Sequence, residues 1–89
     1  MVYKLKTGFI LRKIGNQTMA VPVGPQTSHI HGMIALSESG ELLWNALADG
    51  ADTATLTNLL IQNYEVDELT ASADVFAFLK DLKEQGALQ

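Results

Sequence analysis

The residues best suited to chemistry are the two histidines, which sit two apart in His29-Ile30-His31. On a strand such neighbours point the same way, so both imidazoles are placed to share one metal ion. A third ligand is missing, since no spacing in the chain nominates one. The pair therefore reads as two solvated strand side chains that titrate near neutral pH. Other reactive sets are thinner still. There is no cysteine, which removes thiol nucleophiles, thiolate metal sites and disulfides together. Ser28 precedes His29 directly, but sequence neighbours do not make a triad, and no G-x-S-x-G elbow, phosphate loop or G-x-G-x-x-G follows. These absences argue against an enzyme, and no cofactor or metal is implied.

The elements that would carry these residues divide the chain in two. Phe9 to Ile14 is apolar and β-branched, Gly15-Asn16 is a hairpin turn, and Gln17 to about Val21 is the returning strand. Pro22 lacks an N–H, so regular pairing should weaken there. Gly24 to Ser28 reads as a loop, and about His29 to Leu36 as a third strand, with His29, His31 and Met33 on one face and Ile30, Ile34 and Leu36 on the other. From Ser37 the period becomes helical. Caps at Ser37, Asp52 and Asp67 predict helices over about Glu38 to Ala48, Thr53 to Asn63 and Glu68 to Gln85, with Gly50 and Gly86 as stops. Trp44 and Tyr64 fall on inward stripes. The third helix has a core stripe (Ala71, Val75, Phe78, Leu79, Leu82) and a second, largely apolar side (Leu69, Ala73, Phe76, Lys80). Phe76 lies at the core edge or faces a ligand groove. The expected fold is α+β: a three-stranded antiparallel meander followed by three helices.

Length and composition set the outer bounds. Eighty-nine residues make one domain over 1–89, and 47% hydrophobic residues with a mean hydropathy of +0.12 suffice for a core. No apolar run is long enough for a membrane span or a secretory signal, and a small domain without disulfides fits the cytoplasm. The net charge of −4 is divided unevenly. Residues 1–37 hold Lys4, Lys6, Arg12 and Lys13 and no acid, whereas residues 38–89 hold all ten acids against Lys80 and Lys83. That split disfavours the main alternative, a winged-helix nucleic-acid binder, because the supposed reading helix lies in the acidic half. A third strand with nothing after it to cover it leaves an open edge, which accepts either an extended peptide or a second copy in a homodimer. Lys80 and Lys83 read as ordinary solvated residues, or, with Phe76 nearby, as the border of an apolar groove that attracts an acidic segment.

Three segments in order resemble the PqqD family of precursor-peptide recognition elements. Ala35-Leu36-Ser37-Glu38-Ser39-Gly40-Glu41-Leu42-Leu43-Trp44 is similar to the family's L-N-x-[ST]-[GA]-x-x-[IL]-W start of the first helix, with Ser37 replacing the frequent Asn or Asp cap. Asp49-Gly50 to Leu56, then Leu59-Leu60 to Tyr64, resembles its second helix, and Ala73 to Leu79 ending at Gly86 resembles its last. The resemblance implies a winged-helix-like fold without catalysis. It also implies that the leader of a ribosomally made precursor adds as a strand beside the third strand. The protein would then present that leader to a maturation enzyme, such as the radical S-adenosylmethionine enzyme of the family founder. Carried onto this chain, the edge is the backbone of His29, Ile30, His31, Gly32, Met33 and Ile34. The cleft wall is Leu69, Ala73, Phe76, Ala77 and Lys80. Gly32 would allow a close approach of the guest strand.

Overall fold

A two-residue turn starts the architecture. Gly15 takes φ +65° while Asn16 stays at negative φ, the signature of a type II′ hairpin whose twist suits the flanking strands. The structure, a computed structural model, describes residues 1–23 and 33–89. In it β1 (Phe9–Ile14) pairs antiparallel with β2 (Gln17–Pro22), and β2 with β3 (Ile34–Leu36), in the sheet order β1-β2-β3. Three helices follow: α1 (Glu38–Asp49), α2 (Thr53–Asn63) and α3 (Glu68–Glu84). This is the expected α+β fold. The anticipated loop at 24–28 and the start of the third strand fall outside the described residues.

Each helix begins where a side chain replaces a missing backbone partner. Ser37 Oγ accepts from Gly40 N at 3.1 Å, Asp52 Oδ1 from Thr55 N at 2.8 Å and Asp67 Oδ1 from Thr70 N at 2.7 Å. These bonds favour the ionised carboxylates. The backbone N–H and then the hydroxyl of Thr55 hold Asp52 below the usual carboxylate range, and Thr70 does the same for Asp67. Gly50 at φ +95° ends α1, donating to Leu47 O.

Alternation along the strands turns Leu11, Ala20, Ile34 and Leu36 toward the helices, where they meet Leu43, Trp44, Leu47, Leu56, Leu60, Val75, Leu79 and Leu82. Phe9 meets Trp44 edge to face, with centroids 5.2 Å apart and planes at 82°. The one buried polar side chain among the described residues, Thr18, donates to Glu41 at 3.2 Å and so joins β2 to the first turn of α1. An additional seam, unforeseen from sequence, runs through both tails. Tyr3 and Ala51 exchange backbone bonds of 2.8 and 2.9 Å, Leu5 N donates to Leu47 O, Lys6 N to Ala87 O and Gln89 N to Lys4 O. Leu5 and Ala87 are buried in that seam. No helix among the described residues is long and apolar enough to cross a membrane.

Leu47 is fully buried, so Leu47→Ala should lower unfolding stability by about 2–5 kcal/mol in urea titration. Leu69→Ala, at a site 82% exposed, should change it by less than about 0.5 kcal/mol. Because the folded-state pKa values of Asp52 and Asp67 are depressed, their stabilisation is complete above the ordinary carboxylate pKa and is lost as pH falls through the lowered values. Asp52→Asn/Asp67→Asn should keep both caps yet flatten the acid limb of a thermal-midpoint profile. An unchanged limb would assign acid lability to other carboxylates.

Candidate functional site

The phase of the sheet ladder decides which main-chain groups are left free. Val23 N donates to Gly8 O at 2.7 Å, so residues 8 and 23 form a hydrogen-bonded pair. Antiparallel ladders alternate, which makes Ile10–Val21, Arg12–Met19 and Ile14–Gln17 the bonded pairs of β1 and β2. Thr18 and Ala20 must then turn their backbone groups toward β3, where their partners are Leu36 and Ile34. The Gln17 side chain agrees with that direction, donating to Leu36 O at 2.8 Å. It follows that the N–H and C=O of Met33 and Ala35 point away from β2. No strand lies beyond β3 among the described residues. Among the described residues the outer side of β3 is therefore unpaired at Ala35, whereas Ile34 bonds inward and is 3% exposed. Pro22 faces the β3 side with no N–H to give, so the β2–β3 ladder has no donor at that position.

A groove of about 580 Å³ runs between the β3–α1 corner and α3. Its more buried lining is Gly40, Leu43, Leu60 and Phe78, and α3 adds the exposed Asp74, Ala77, Lys80, Asp81 and Glu84. Gly40 makes the corner close. A Cβ there would stand 3.3 Å from Ser37 Oγ, 3.4 Å from Phe78 Cε1 and 3.7 Å from Leu36 Cδ2. A side pocket of about 300 Å³ adjoins it, with Leu60, Tyr64 and Val66 supplying apolar surface and Asp74 bordering both spaces. Partial burial, then the Glu38 carboxylate, raises the Tyr64 pKa.

The expected site residues divide accordingly. Met33 lies beside the edge strand and is 56% exposed; Ala77 and Lys80 line the groove. Leu69, Ala73 and Phe76 do not. They are exposed, Phe76 at 62%, on the neighbouring side of α3. The α3 side of the groove runs through 74, 77, 78, 80, 81 and 84, which leaves Leu69, Ala73 and Phe76 outside its lining. His29, Ile30, His31 and Gly32 lie outside the described residues. Among the described residues no cluster of three or more metal-ligating side chains occurs. Gly40, Ala35, Asp74, Phe78 and Asp81 escaped the sequence reading, although the Gly15-Asn16 turn held the ladder phase that points to Ala35. Lys80 borders the groove together with Asp74, Asp81 and Glu84, and Lys83 is not among its lining residues.

These features sit on a known framework. Residues 22–88 match the family model described as coenzyme PQQ synthesis protein D (PqqD), and the chain belongs to that family. Two solved structures share the fold. One is described as lasso peptide synthetase B1 complexed with the leader peptide, 22% identical, with a TM-score of 0.76 over 98% of this chain and 96% of that one. The other, TbiB1 in complex with the TbiA(beta) leader peptide, is 21% identical with a TM-score of 0.77 over 97% and 94%. No curated protein matches the sequence.

The ladder phase has a direct readout in amide exchange. In the isolated monomer the Ala35 N–H should exchange much faster than those of Ile34 and Leu36. Equal protection at all three positions would mean that the edge is already occupied.

Proposed function

We propose that this protein is a peptide-binding adaptor of the PqqD type that acts without catalysis of its own. An extended leader segment adds to the open edge of β3, and its alternate side chains enter the groove against α3. The observation that carries this reading is the outward-facing backbone of Met33 and Ala35 beside a groove walled by another element. Family membership supports it, as do two structural neighbours whose own complexes contain leader peptides. The backbone bonds fix register, while the pockets supply discrimination. Held in this way, the rest of a precursor stays near the active site of a maturation enzyme, of which a radical S-adenosylmethionine enzyme is one candidate. Such tethering reaches effective concentrations of about millimolar. The nucleic-acid alternative is weakened by α3 itself, which presents Glu68, Asp74, Asp81 and Glu84 against Lys80 and Lys83.

The test titrates leader peptides by calorimetry, taking candidates from any short precursor-like reading frame found near this gene. Wild type should bind at about micromolar or tighter, near −8 kcal/mol. Ala35→Pro removes only an outward N–H, so it should keep the fold by circular dichroism and weaken binding at least about tenfold. Ile34→Pro breaks an inward ladder bond and should unfold the sheet. Ala77→Glu should weaken binding by a similar factor to Ala35→Pro, whereas Phe76→Glu, outside the groove, should leave it within about threefold. Full binding by a folded Ala35→Pro protein would refute strand addition at this edge.

A further inference from the structure

Resting on the reading above, we propose that the groove selects a cationic segment: an extended peptide carrying Lys or Arg beside an apolar anchor residue. The groove presents three carboxylates, Asp74, Asp81 and Glu84, against the single cation Lys80. The adjoining side pocket adds Glu38 and no cation. Asp74 and Asp81 are seven residues apart on α3, which puts them on one side of the helix about 10 Å apart along its axis. Asp81 takes a hydrogen bond from the neutral Gln85 amide at 3.4 Å, which leaves its charge uncompensated by that contact. Asp74 stands at the junction of the two cavities, where a side chain entering the apolar pocket of Leu60, Tyr64 and Val66 passes beside it. The Tyr64 pKa is raised by burial first and by the Glu38 carboxylate second.

An acidic guest would be repelled here. A Lys or Arg guest can lay its aliphatic stem along Ala77 and Phe78 and carry its charge to Asp74 or Asp81. The apolar neighbour supplies burial and the cation supplies selection between otherwise similar segments. The discrimination therefore falls on the helical half of the molecule, while the strand edge accepts any backbone.

The probe is a yeast-displayed library of random peptides, selected on the full chain at low salt and counter-screened with Ala35→Pro. Edge-dependent binders should be enriched in Lys and Arg. Asp74→Asn and Asp81→Asn should each weaken the best binder about two- to fivefold, and Lys80→Gln should tighten it. These effects should shrink as salt rises. Both aspartates are exposed, so thermal melts should show the variants folded. Edge-dependent binders that are neutral or acidic, or that ignore both Asn substitutions, would overturn the cationic preference and leave strand addition standing. Recovery of no edge-dependent binder at all would overturn both.

Discussion

An antiparallel ladder permits alternation and nothing else, and here a two-residue turn fixes its phase. Once Ile14 and Gln17 close the hairpin at Gly15-Asn16, each residue of β2 is committed to β1 or to β3. The commitment passes on to β3. Ile34 and Leu36 are used internally by backbone and side chain alike, whereas Ala35 and Met33 keep their backbone groups free. A change of turn length by one residue would invert that assignment and turn the buried faces outward with it. The open strand margin and the hydrophobic core thus depend on the same few hydrogen bonds.

Helix packing supplies the second boundary of the site. α3 packs on α2 and buries Ala71, Val75, Leu79 and Leu82, which fixes which of its sides faces the β3–α1 corner. Gly40 sets the spacing at the corner. A Cβ at this position would meet Ser37 Oγ, Phe78 Cε1 and Leu36 Cδ2 together, so strand end, helix start and α3 all close on the one glycine. Capping of α1 by Ser37 occurs at that same point. Few positions are asked to satisfy so many partners at once.

Most of the framework was legible in the sequence because its signals are local. A cap such as Asp67 acts on the amide of Thr70 three residues later, and a Gly-Asn turn acts on its own flanks, so the bounds of β1, β2 and the three helices agree to within about two residues, whereas β3, expected from about His29, is described only over Ile34–Leu36. Legibility ended where a side is chosen by a distant partner. Leu69 and Phe76 are large and apolar, and they suggested the ligand wall; the α3 side of the groove is lined instead by Asp74, Ala77, Phe78, Lys80, Asp81 and Glu84, while α3 packs chiefly on α2. The tail seam was equally silent. Tyr3 and Leu5 join Ala51 and Leu88 through single bridges, which have no period to detect.

The only tryptophan in the chain, Trp44, is enclosed in the core against the ring of Phe9 and takes no part in lining the groove or its side pocket. Its emission is therefore a gauge of global melting and is blind to guests at the strand margin. Tyr64, in the wall of the side pocket, is the native chromophore that senses an arriving residue. Optical titrations on the unlabelled chain must be read at its wavelengths.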